Sequence, residues 1–125
     1  MNKVKLYTIL IFLTIYHFVH GQNKLFIPDT LSGSVINLHL QKGHHIFFNN
    51  YQTATLGANG NILGPTLILR KGDDVKINVN NQIGETTTLH WHGLHVAPEN
   101  DGGPHTPIIN ESTWSPTFEI KNRAS

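Results

Sequence analysis

Two of the nine histidines stand one residue apart, in Leu89-His90-Trp91-His92-Gly93-Leu94. In an extended chain, residues two apart project to the same side, about 6 to 7 Å from one another. His90 and His92 would then present two imidazoles on one face while Trp91 turns into the other. Neutral imidazole is a ligand for copper, zinc, iron and nickel, so the pair is a candidate metal centre. The spacing alone leaves open whether both rings grip one ion or serve two neighbouring ions, and a bare His-x-His also occurs among ordinary surface histidines. Ligation requires the deprotonated ring, so metal affinity at this pair should fall in acid. The sequence has no cysteine, which removes thiolate from the available donors.

The remaining candidates carry less. Asn100-Asp101-Gly102-Gly103 is turn chemistry as it stands. His95 lies an odd number of residues from His92, so a continuing strand would aim it at the opposite face. His105 follows the Gly-Gly-Pro turn and can approach the pair. His39, His44 and His45 read as surface residues of a first hairpin, and Trp114 as packing in the core or at an interface.

The elements that must position these groups are of the β kind. Val35-Ile36-Asn37-Leu38-His39-Leu40 alternates apolar with polar, the period of a half-buried strand. Lys42-Gly43 reads as a turn, with His45-Ile46-Phe47-Phe48 returning. Asn59-Gly60-Asn61 is a second turn, and residues 66–70 a strand closed by Lys71-Gly72-Asp73. Residues 74–80 alternate cleanly, with Val75, Ile77 and Val79 on one face. Residues 86–90 are β-branched and lead into the histidines, and residues 117–120 form a last short strand. Short strands separated by Gly, Asn and Asp turns predict an all-β sandwich or barrel.

The first residues stand apart. Lys3 and Lys5 precede a nearly unbroken apolar run at 6–19, and Val19 and Gly21 fit the spacing that a signal peptidase reads. The run is short of the roughly 20 apolar residues that cross a bilayer. Residues 1–21 are therefore expected to be a secretory signal peptide, giving a secreted or periplasmic protein with no membrane span after cleavage. Setting aside Lys3 and Lys5 leaves seven of nine basic residues against eight acidic ones, a mature net charge of about −1. That balance argues against a nucleic-acid partner, which would need a basic face.

In order and spacing, the stretch from Asn59 to Thr66, then Arg70-Lys71-Gly72-Asp73, Asn80-Asn81, Thr88-Leu89-His90-Trp91-His92-Gly93 and Asp101-Gly102-Gly103 resembles the first domain of multicopper oxidases. Laccases, bilirubin oxidases and bacterial copper-efflux oxidases belong to that family. The resemblance runs from about Leu38 to Ile120. It implies a cupredoxin-like Greek-key fold over residues 22–125, incomplete at its C-terminal end, with the remaining cupredoxin domains of a longer parent chain as its partners. It also implies a reaction: single electrons from a small reducing substrate enter at a type 1 copper and reach a trinuclear type 2/type 3 cluster, where O2 is reduced to water. By the same resemblance His90 would bind the type 2 copper and His92 a type 3 copper, while Asp101 would lie near the cluster and assist proton delivery. A carboxylate suits that task, since four protons must accompany four electrons.

The departures matter as much. A second His-x-His is expected shortly after residues 118–125, and the type 1 site needs a cysteine that this sequence lacks. Six of the eight cluster ligands would come from elsewhere, so the 125 residues alone are expected to show no oxidase activity and weak copper affinity at most. Other readings are a short secreted cupredoxin-like copper-binding module without turnover, and a purely structural β-sandwich. Copper nitrite reductases share the fold, but the Trp-His-Gly context points to the oxygen-reducing branch.

Overall fold

The computed structural model describes residues 3–16, 25–48 and 51–123. Among them, α1 (Lys3–Tyr16) precedes β1 (Thr30–Ser32), β2 (Val35–Phe48), β3 (Tyr51–Ala58), β4 (Thr66–Ile68) and β5 (Asp74–Gln82). A 3₁₀ turn at Pro98–Asn100 and two short strands, β6 (Thr113–Trp114) and β7 (Thr117–Glu119), complete the order. The all-β expectation holds. α1 has 14 residues, about 21 Å of helix, and no helix among the described residues is long and apolar enough to cross a membrane. The cleavage site expected after Gly21 lies outside the described residues.

β5 is the central strand. On one edge it pairs in parallel with β2, from Val35 opposite Lys76 to Gln41 opposite Gln82. On the other it meets β6 and β7, which lie end to end and antiparallel to it. Pro116 separates these two pieces; it has no N–H to give, yet its carbonyl still accepts from Ile77 N at 3.0 Å. β3 pairs with the outer half of β2 and closes the order β3-β2-β5-β6. β1 and β4 form a separate parallel pair.

The alternation seen in the sequence becomes the core. Ile36 and Leu38 stand opposite Ile77 and Val79 across the parallel ladder, and all four are buried with Val75, Phe118, Ile108 and Ile120. Each such side chain contributes about 1.5–3 kcal/mol by leaving water. Leu31 of β1, Leu67 of β4, and Leu89, Trp91, Leu94 and Val96 from the long segment after β5 pack against this cluster. The segment bearing the histidines is thus anchored by its own apolar residues.

Two sequence expectations are corrected here. Lys42-Gly43 is not a turn: β2 runs unbroken from Val35 to Phe48, with Gly43 opposite Thr55. The glycine serves a close approach instead, because a β-carbon there would come within 2.6 Å of the Asn61 backbone. Residues 86–90 do not form a strand; only Thr87 makes a bridge, to Ile108.

Candidate metal centre

The segment from Ile83 to Asn110 has little regular structure, and one buried side chain fixes where it starts. Asn81 is fully buried at the end of β5, at the inward position that follows Val75, Ile77 and Val79. Its amide Nδ2 donates to the carbonyls of Glu85 and Ile108, both at 2.8 Å, and its Oδ1 accepts from Ile83 N at 3.1 Å. A buried polar group satisfied at every site ties three stretches of backbone into one geometry. Thr87 and Ile108 then exchange backbone hydrogen bonds of 3.1 and 2.7 Å, which starts the histidine segment beside the core.

Trp91 supplies the next anchor. Its ring stacks on Trp114 at 6.1 Å between centroids and tilts against Phe118 at 6.0 Å. Its indole N–H donates to Asn100 O at 2.8 Å, so the residue between the two histidines is held at its apolar body and its polar tip. The chain reverses immediately afterwards. Leu94 N donates to Trp91 O at 3.0 Å, and Gly93 adopts φ 82 in the turn. The expected extended strand is therefore a turn from His92 onward.

His90 and His92 nevertheless come together. Their ring centroids are 5.7 Å apart with the planes at 86°, and both side chains are exposed. His90 Nδ1 faces the backbone carbonyl of Asp101 at 3.3 Å, a long hydrogen bond, with the Asp101 carboxylate Oδ1 at 3.1 Å to the side. A proton held on Nδ1 by these oxygens leaves Nε2 bare, the state in which imidazole ligates a metal. Asp101 Oδ1 is shut from solvent and makes no aligned hydrogen bond of its own. Gly102 has φ 71, and a β-carbon on it would collide with the Leu89 carbonyl, so the Asp-Gly-Gly loop lies directly on the backbone that carries His90.

The structure thus brings His90, His92 and Asp101 into one place. It leaves His95 and His105 exposed, with neither in a metal-holding group. His95 follows the turn, so the odd-number argument from strand geometry does not apply to it. His39 and His44 are exposed on β2, while His45 sits edge-on to Phe26 and Phe47 at 6.2 and 4.8 Å. Trp114 packs in the core, as one of its two expected places. Sequence reasoning missed Asn81 and Asn122. The second reaches the turn from the far end of the chain: Asn122 Oδ1 accepts from His95 N at 2.9 Å and Nδ2 donates to Gly93 O at 2.8 Å.

As a donor set, two accessible imidazoles, one of them with its second nitrogen occupied, fit a copper ion well. Among the described residues no group of three or more His, Cys, Asp or Glu side chains is placed to hold an ion.

Comparison with known proteins gives a consistent result. The sequence model of the family described as multicopper oxidase matches residues 39–125. The multicopper oxidase mco of Staphylococcus aureus is 41% identical over 112 residues, covering 84% of this chain and 25% of that protein. The cell division protein FtsP of Photorhabdus laumondii is 36% identical over 107 residues, covering 83% of this chain and 23% of its own length. Among solved structures, the laccase-like multicopper oxidase CueO of Ochrobactrum sp. superimposes with a TM-score of 0.75 at 39% identity, over 78% of this chain and 23% of that one. The chain therefore spans about a quarter of the length of the relatives it matches.

Proposed function

Because the chain belongs to the multicopper oxidase family, we propose that it is the N-terminal part of an exported copper oxidase and supplies two cluster ligands. In this reading residues 1–21 are the signal peptide and residues 22–125 belong to the first cupredoxin domain. His90 binds the type 2 copper and His92 a type 3 copper. The cluster, completed by domains beyond this chain, supplies the capacity to pass four electrons to O2 as a small substrate is oxidised one electron at a time. The observation that carries the reading is the pairing of two exposed imidazoles 5.7 Å apart with an Asp101 carboxylate oxygen that is buried and without a hydrogen bond.

This chain's own residues have three tasks. Trp91, wedged against Trp114 and Phe118, fixes the backbone between the histidines. Asp101 holds the proton of His90 on Nδ1 and so keeps Nε2 directed outward. A third of its side chain remains open to solvent, so the carboxylate can take a proton from water and return it, as the reduction of O2 to two waters consumes four. The reading is tested by loading the full-length protein with copper and comparing His90→Ala and His92→Ala with the parent. Each variant should lose copper and lose O2 consumption; full copper retention by both would overturn the assignment.

A second reading, copper binding without turnover, draws on one observation. A relative at 36% identity carries the name of a cell division protein and not of an oxidase, so family membership alone does not fix the activity. A copper-loaded full-length protein that consumes no O2 with phenolic, bilirubin-type or cuprous reductants would favour it.

A further inference from the structure

We propose that Asn122 is the positioning residue for His92, acting through the backbone of the turn that follows it; this rests on the copper reading of the two histidines. His90 and His92 are restrained in different ways. The His90 ring is held by Asp101 through Nδ1. Among the described residues no hydrogen bond restrains the His92 ring, and its one aromatic contact is with the ring of His90. The direction of His92 is therefore set by its own backbone, and that backbone enters a turn with no strand partner.

Asn122 supplies what a strand partner would. An asparagine amide carries one acceptor and one donor side by side, and here they meet Gly93 O and His95 N at 2.8 and 2.9 Å. The same device occurs elsewhere in the molecule. Asn59 Nδ2 donates to Asn37 O at 2.9 Å and Asn59 Oδ1 accepts from His39 N at 2.6 Å. Both asparagines bridge the carbonyl of one residue and the N–H of the residue two further on. At Asn59 the clamped residues already belong to β2, and the ladder with β5 holds them. At Asn122 the clamped residues lie outside any strand, and the other restraints close by are Leu94 N to Trp91 O, the Trp91 indole to Asn100 O and the packing of Leu94 on the core. Losing the Asn122 amide unties Gly93 O and His95 N, on either side of Leu94 and one step from the His92 ring, while leaving the Asp101 hold on His90 untouched.

The repeated device provides its own control. In the copper-loaded full-length protein, Asn122→Ala should weaken copper binding about tenfold, the usual loss when a group that orients a ligand is removed. Electron paramagnetic resonance and elemental analysis would read it as copper lost from the His92 position, with the His90-bound ion unchanged. Asn59→Ala removes the same two bridges and also places alanine at φ 57, so it should lower the melting temperature at least as much yet keep the full copper complement. Asn122→Asp, which keeps the acceptor for His95 N and removes the donor to Gly93, should lose copper to an intermediate degree. If Asn122→Ala and Asn122→Asp both hold copper like the parent, or if Asn59→Ala loses it equally, Asn122 is a structural residue and the inference is overturned. His92→Ala separates the two failures: full copper in that variant sinks the ligand assignment itself.

Discussion

The α-carbon of Gly102 lies against the carbonyl of Leu89, with no room for a side chain between them. Leu89 immediately precedes His90, and Gly102 immediately follows Asp101. One backbone contact thereby sets the distance between the proposed ligand His90 and the carboxylate beside it. Gly102→Ala adds a β-carbon at φ 71 and into the Leu89 carbonyl, which should cost about 3 kcal/mol from the left-handed backbone and the overlap together. Urea unfolding of the full-length protein measures this, and the same variant should load less copper because the loop must lift away from His90.

Asn81 predicts a loss of stability from a different cause. Asn81→Leu preserves size but strands the carbonyl of Glu85 and the N–H of Ile83, while the Ile108 carbonyl keeps only its bond from Thr87 N. Unpaired buried groups cost about 1–3 kcal/mol each, so a loss of at least about 2 kcal/mol is expected in chemical denaturation. A near-neutral result would mean that the segment after β5 is held by its apolar contacts alone.

The indole of Trp91 separates packing from hydrogen bonding. Trp91→Phe keeps a ring against Trp114 and Phe118 while removing the donor to Asn100 O. About 1–2 kcal/mol of stability should disappear, with copper content close to that of the parent. Loss of most of the copper in this variant would show that the Asn100 contact controls the site directly.

For Asp101 the expected effect is on rate. Asp101→Asn retains the shape of the side chain and removes the carboxylate proposed to accept and return protons. In the full-length oxidase kcat should fall about 10- to 100-fold and vary more steeply with pH, while copper stoichiometry stays near that of the parent. An unchanged kcat would remove Asp101 from proton delivery.

Much of this arrangement is legible in the order of the residues. The alternation of Val75, Ile77 and Val79 identifies a strand with one buried face, because residues two apart point to the same side. Lys71-Gly72-Asp73 marks a turn because Gly72 takes φ 89. The site pair is legible from His90-Trp91-His92, although the geometry assumed for it is wrong from His92 onward, where Gly93 permits the reversal. Lys42-Gly43 misleads for a physical reason: a glycine inside a strand signals a close neighbour as readily as a turn, and here the neighbour is Asn61. Residues 86–90 have strand-like composition, but their one regular partner is Ile108. Asn81 carries a readable signal, an amide at the inward position of a strand whose other inward residues are apolar. Asn122 carries none, because its partners lie 27 and 29 residues away and nothing local marks them.

The length of β2 relative to its neighbours has a consequence for motion. Its pairing with β5 ends at Gln41, and the loop at Asn61 still covers Gly43 and accepts from Thr55 Oγ1 at 2.5 Å. From His44 to Phe48 the strand is paired with β3 alone, and Ile46, Phe48 and Tyr51 stand exposed. A hairpin arm so supported opens at lower free energy than the buried ladder at its base. Amide hydrogens should therefore exchange in two populations along a single continuous strand, slow from Ile36 to Leu40 and fast beyond Gly43, so that one strand belongs to two cooperative units.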